Sequence, residues 1–192
     1  KMPHAWKAGP QTQLLKRQLD ALDDGSLIVM VAPPNPYRCP PGPYERSCLI
    51  AHYLKTHKPK SKLILLDANP DVVSKKPLFT KAWSTYYKDN FQYIGGKKIT
   101  KADTGAKLVS VEGIEDFKGD VINLIPPQRA GDIAVKAGLV GDDKKWCPVD
   151  AVSFESTKHK GIHVIGDATA LPSDGPPMPK SGYSANSQAK VC

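Results

Sequence analysis

The sequence predicts an α/β protein in which a parallel sheet carries a small antiparallel insert. Three observations predict it. Several short apolar runs rich in Ile, Val and Leu read as strands buried on both faces. A helical stripe separates the first two runs. A stretch over residues 98–117 alternates in polarity and is broken by turn residues, the pattern of small antiparallel strands. The 192 residues are enough to bury a substantial core, as one large domain or two small ones.

The elements follow in order. Leu27-Ile28-Val29-Met30-Val31-Ala32 is a continuous apolar run with β-branched members and reads as the first buried strand. Residues 44–56 carry Leu49, Ile50, Tyr53 and Leu54 at helical spacing. Lys62-Leu63-Ile64-Leu65-Leu66-Asp67 is a second buried strand. Strand, helix, strand in this order is a βαβ unit with a right-handed crossover. Residues 79–87 read as a helix and 91–94 as a short strand. The insert turns at Asp103-Thr104-Gly105 and at Glu112-Gly113. Residues 120–125 form another buried strand, stopped by Pro126-Pro127, and residues 129–137 a short helix ending at Gly138. Ile162-His163-Val164-Ile165 reads as a final core strand ending in Gly166-Asp167-Ala168, and a last helix begins at Ser181. The organisation expected is a connecting segment (1–25), the βαβ unit with its insert (26–125) and a return segment (126–192).

The formal charge of +8 favours anionic partners. The lysines and arginines are nevertheless spread along the chain, and the densest group, at 55–62, has no interleaved aromatics. They read as a solvated surface, and no nucleic-acid-binding motif is present. The longest apolar run, 27–34, is too short for a membrane span. No segment reads as a signal peptide. The cysteines at 39, 48, 147 and 192 form no CxxC or CxxCH, which excludes a thioredoxin-type motif and covalent c-type haem attachment. Their spacing suits no zinc site, the five histidines show no ligand spacing, and no metal is expected. Cys48 reads as a plain core thiol and His163 as a structural histidine.

Proline (18) and glycine (15) cluster in two stiff loops. One is Pro33, Pro34, Pro36, Pro40, Pro41, Gly42 and Pro43; the other is Pro172, Gly175, Pro176, Pro177 and Pro179. The first occupies the strand-to-helix turn that would carry G-x-G-x-x-G in a dinucleotide site. Prolines have no amide to give a pyrophosphate, so the turn argues against NAD(P)H. Asp67 stands where a ribose-binding acid is expected and reads as a remnant of the fold. Gly166-Asp167 is the sharper signal: glycine permits close approach, and the carboxylate can accept from a sugar-type hydroxyl. The competing reading is a plain strand-ending turn.

Several long motifs resemble one family. They are Arg38-Cys39-Pro40-Pro41-Gly42-Pro43-Tyr44-Glu45-Arg46, Asp120-Val121-Ile122-Asn123-Leu124-Ile125-Pro126-Pro127-Gln128 and Trp146-Cys147-Pro148-Val149-Asp150. Ile162-His163-Val164-Ile165-Gly166-Asp167-Ala168 and Met178-Pro179-Lys180-Ser181-Gly182-Tyr183-Ser184-Ala185-Asn186-Ser187-Gln188 complete the set. Together they resemble the flavoprotein subunit of flavocytochrome c sulfide dehydrogenase, a glutathione-reductase-like FAD family, along essentially the whole chain.

The resemblance implies an NAD-domain-like sheet followed by a returning piece of an FAD-binding domain. It implies that Cys39 belongs to a redox-active disulfide attacked by sulfide, with electrons passing through FAD to a c-type cytochrome subunit. It implies cofactor contacts from Gly166, Asp167, Met178, Pro179, Lys180, Ser181, Gly182 and Tyr183, with a helix N-terminus facing the flavin ring. The bland alternative for Cys39 is a free thiol in a rigid surface loop; Arg38 beside it would favour a reactive thiolate. Cys147 is a different cysteine from the family's second disulfide partner. The family's N-terminal FAD domain and C-terminal region have no counterpart in these residues, so the chain reads as a fragment. Alone it is expected to be inactive and to hold FAD weakly or not at all. A periplasmic location follows from the resemblance only. The competing functions are a sulfide:quinone reductase-like flavoprotein and a non-catalytic, nucleotide-binding-like interaction module.

Overall fold

The computed structural model describes residues 1–113, 116–172 and 178–192. The chain divides into two compact units: Lys1–Asn35 with Pro41–Pro126, and Pro36–Pro40 with Pro127–Cys192.

The first unit is built on a four-stranded parallel sheet. Its strands are β1 (Leu27–Ala32), β2 (Lys62–Asp67), β3 (Phe91–Ile94) and, after three further strands, β7 (Val121–Leu124); their spatial order is β3-β2-β1-β7. Side chains of a strand alternate between faces, and β1 feeds two cores accordingly. Ile28, Met30 and Ala32 join Leu63, Leu65, Ile50, Leu54 and Trp83 on one face. Val29 and Val31 join Leu66, Ile122, Val109 and Val111 on the other. The helices α2 (Gly42–His57) and α3 (Lys76–Tyr86) supply the first face. The antiparallel strands β4 (Ile99–Asp103), β5 (Leu108–Val111) and β6 (Asp116–Lys118) cover the second. Residues 1–25, expected as a connection, contain an 11-residue helix, α1 (Pro10–Asp20), with proline in its first turn and Leu15 buried.

The inward face of α2 differs from the expected stripe. Tyr44, Ser47, Ile50, Ala51 and Leu54 are buried, whereas Leu49 is 71% exposed. Apolar character marked the helix, but Tyr44 and Ser47 turn inward because their hydroxyls find partners there. Cys48 is half-buried against the core rather than enclosed by it, and burial pushes its thiol pKa up.

The second unit is smaller and less regular. It contains α4 (Asp132–Lys136), a two-stranded parallel ladder of β8 (Cys147–Pro148) and β9 (Thr169–Ala170), and α5 (Gly182–Val191). Its core gathers Ala130, Ala134, Leu139, Trp146 and Cys147. The strand expected over residues 162–165 does not form. Ile162 and Ile165 are exposed, and the segment makes one isolated bridge, between Glu155 and His163. A continuous ladder needs a neighbouring strand; here the backbone bonds run only from the Ser156 amide to the Ile162 carbonyl, from the Val164 amide to the Phe154 carbonyl and from the Ile162 amide to the His159 carbonyl among the described residues. His163 is accordingly exposed, not a core histidine. Gly166–Ala168 forms a single 3₁₀ turn, and the paired strand β9 follows the Gly-Asp instead of preceding it. Gly175, Pro176 and Pro177 of the second proline-rich loop lie outside the described residues.

Candidate functional site

Cys39 sits in a loop pinned on three sides within the second unit. Tyr37 is fully buried and its hydroxyl donates to the Pro40 carbonyl (3.1 Å). The Arg38 amide donates to Gln128 Oε1 (3.0 Å), and the Cys39 amide donates to the Lys180 carbonyl (2.8 Å). These contacts hold Cys39 in the left-handed region (φ +58°) with its side chain exposed. Such a conformation costs a residue with a Cβ about 1 kcal/mol or more and persists only where the surroundings over-determine it.

Gly166 has two reasons to be glycine. Its φ is +72°, and an added Cβ would stand 3.1 Å from the Cβ of Ala185 on α5. The space taken is therefore helix packing: α5 approaches the turn closely, and the Gly166 amide donates to Gln188 Oε1 (2.5 Å) on that helix. Gln188 is buried and its Nε2 donates to Met178 Sδ (3.1 Å). The sequence reading did not single out Gln188, although its place seven residues after Ser181 puts both on one face of α5.

Asp167 is half-buried. Its Oδ1 is shielded from solvent and has no hydrogen-bond partner among the described residues. A buried acceptor without a donor costs about 1–3 kcal/mol, so this oxygen suits a ligand that brings a hydroxyl to it. Near it in sequence, Met178, Pro179, Gly182 and Tyr183 are exposed, Tyr183 to 85%. Ser181 caps α5 by accepting the Ser184 amide (3.2 Å). An unpaired acceptor, an exposed aromatic and a capped helix start together fit a polyhydroxylated chain carrying a flat ring, which is the chemistry of FAD.

Lys180 lies at the junction of these pieces and is 8% exposed. Its Nζ donates to the carbonyls of Asp167 and Thr169 (2.8 Å each) and stands 3.7 Å from the centre of the Trp146 ring. Burial lowers the ammonium pKa to about 8, against the opposing pull of Asp167, Cys147 and Asp143. Burial also pushes the Cys147 thiol up. Of the residues named from sequence, Cys39, Asp167 and Lys180 are joined directly by hydrogen bonds; Gly166 and Met178 join through Gln188, and Ser181 caps the helix. Trp146 and Thr169 complete the junction and were not anticipated as site residues.

Asp67, at the end of β2 in the first unit, presents the opposite case. It is fully buried and accepts from Tyr44 Oη (2.7 Å), Tyr93 Oη (3.1 Å), and the Asn69 amide (2.9 Å) and Nδ2 (2.7 Å). The Tyr44 oxygen in turn accepts the Val73 amide (3.1 Å). This carboxylate ties α2, β2 and β3 together, and protein donors occupy both of its oxygens.

Among solved structures, an NAD-dependent persulfide reductase from A. fulgidus matches with a TM-score of 0.63 at 13% identity, over 99% of this chain and 34% of that one. A water-forming NADH oxidase from Lactobacillus brevis matches at 0.61 and 12%, over 100% and 42%. A putidaredoxin reductase–putidaredoxin complex matches at 0.62 and 16%, over 96% and 43%. The chain thus spans less than half the length of the proteins it resembles. The family model described as the central part of the flavoprotein chain of sulfide dehydrogenase (flavocytochrome c) matches residues 12–126, and the chain belongs to that family.

Proposed function

We propose that this chain is part of an FAD-dependent sulfide dehydrogenase in which Cys39 is the sulfide-reactive cysteine and a c-type cytochrome subunit receives the electrons. The observation that carries this reading is the junction at Lys180. One residue holds an exposed, strained cysteine on its main chain and, on its side chain, the turn bearing an unpaired buried carboxylate oxygen. The family assignment and the flavoprotein neighbours support an oxidoreductase of this kind. The saturated Asp67 and the proline-filled turn support sulfide, rather than a nicotinamide, as the electron source.

In this reading Cys39 is held as half of a disulfide whose partner cysteine belongs to the intact subunit. Hydrosulfide attacks one sulfur; a new S–S bond forms, the old one breaks, and the other cysteine leaves as a thiolate, so a persulfide and a thiolate result. FAD, when bound, supplies a two-electron acceptor beside these sulfurs. Asp167 would accept from its hydroxylated chain, and Met178, Tyr183 and the start of α5 would hold its ring, where a helix N-terminus would favour negative charge. No helix among the described residues is long and apolar enough to cross a membrane. A periplasmic location belongs to the same proposal.

The test is Cys39→Ser in the intact subunit. Flavin content should be unchanged, and sulfide-driven cytochrome reduction should fall about 10³-fold or more. Retained activity would remove Cys39 from the mechanism.

A further inference from the structure

We propose that Lys180 is the positioning residue of this site, the one group that holds the Cys39 loop and the Asp167 turn in register with each other. Three passes of the chain meet at it. The loop 36–40 arrives through the Cys39 amide, which donates to the Lys180 carbonyl. The turn at 167–169 arrives through the two carbonyls that accept from Nζ. The segment before β8 arrives through the Trp146 ring.

The chemistry of the lysine explains why a charge is buried here. Enclosing an ammonium is costly, and an aliphatic residue such as methionine would fill the same space without that cost. An aliphatic residue would leave the Asp167 and Thr169 carbonyls without their donor and would place no charge over the indole face. The ammonium has three N–H groups, and its two named acceptors are main-chain oxygens. The carboxylate of Asp167 is therefore held in place from its own backbone while Oδ1 stays shielded and unpaired among the described residues. Binding the turn by its carbonyl and not by its carboxylate is what separates a positioning role from a simple ion pair.

The groups that face the ammonium are Asp167 on the turn, Cys147 on β8, and Asp143. All three favour its charged form, and burial outweighs them. Deprotonation leaves a neutral amine that still donates to the carbonyls but loses both the charge assistance and the attraction to the ring. The hold on both segments then loosens together.

The test is read on the chain itself, without flavin or sulfide. It rests on the reading that Cys39 and Asp167 serve one site, yet loss of sulfide chemistry in the enzyme would leave its outcome untouched, and the reverse holds as well. Two signals are followed: amide hydrogen exchange at Cys39, and the pH dependence of tryptophan fluorescence between about pH 6.5 and 9.5. The wild-type chain should show a fluorescence transition centred near 8 and a protected Cys39 amide. Lys180→Met should abolish the transition and speed Cys39 exchange by about tenfold or more. Lys180→Arg, charged throughout, should also abolish the transition while keeping Cys39 exchange within about twofold of wild type. A role confined to filling space would leave the arginine and methionine variants alike. If Lys180→Met does not fold, the arginine variant decides: its Cys39 exchange, corrected for base catalysis, should stay flat where the wild type rises through pH 8. A fluorescence transition that persists without the lysine amine, or a Cys39 amide indifferent to residue 180, would overturn the proposal.

Discussion

Two aspartates, one in each unit, end up in opposite states. Asp67 in the first unit is sealed in and accepts four hydrogen bonds from Tyr44, Tyr93 and Asn69. Asp167 in the second keeps a shielded oxygen with no partner at all among the described residues. A saturated buried carboxylate is a fastening, and an unsaturated one is an invitation to a ligand. The same contrast runs through the rest of each unit. The first packs two apolar faces around a central sheet, while the second gathers a smaller cluster around Trp146 and Cys147 and leaves Met178 and Tyr183 exposed. On the function proposed above, stability and chemistry are divided between the units.

The largest effect that would break this comparison is on stability. Asp67→Ala leaves two tyrosine hydroxyls and an amide group without their acceptor inside the core, and should cost about 3 kcal/mol or more in urea unfolding. Asp167→Ala removes an acceptor that had no donor and should change stability by less than about 1 kcal/mol. Equal losses at the two positions would erase the distinction. A smaller effect sharpens it: Gly166→Ala meets both a left-handed backbone and the Ala185 methyl, and should cost about 1–2 kcal/mol by the same measurement. The smallest expected effect is none. Titration of the chain with NADH in a calorimeter should show no binding tighter than about 1 mM, because Asp67 is already occupied and the prolines at 33, 34, 36, 40, 41 and 43 have no amide to give a pyrophosphate; a micromolar constant would show that the first unit still serves a nicotinamide.

Much of the first unit was legible in the sequence. The strands β1, β2 and β3 were read to the residue, because continuous apolar runs bounded by polar residues and turns have little else to become. The antiparallel cover was legible from its turns. The second unit was harder to read, for physical reasons. Residues 162–165 carry the right composition for a core strand, but composition does not reveal whether a neighbour exists to complete the ladder. Leu49 looked like core and lies outside, because the face of α2 was decided by Tyr44 and Ser47, two polar residues with buried partners. The site residues were legible as motifs, but their connections were not. Nothing local to Lys180 announces that it folds under Trp146 and reaches the carbonyls of residues 167 and 169. Nor does Asp67 announce partners 23 and 26 residues away.

The central claim is that the second unit, through Asp167, takes the cofactor. Its most direct test is the flavin-to-protein ratio, read from visible absorbance, of the intact subunit carrying Asp167→Ala beside the wild type. The account predicts a wild type with stoichiometric flavin and a variant that folds normally, with unchanged far-ultraviolet circular dichroism, yet loses most of its flavin on dialysis. A variant that keeps its full complement of flavin under the same dialysis would contradict it.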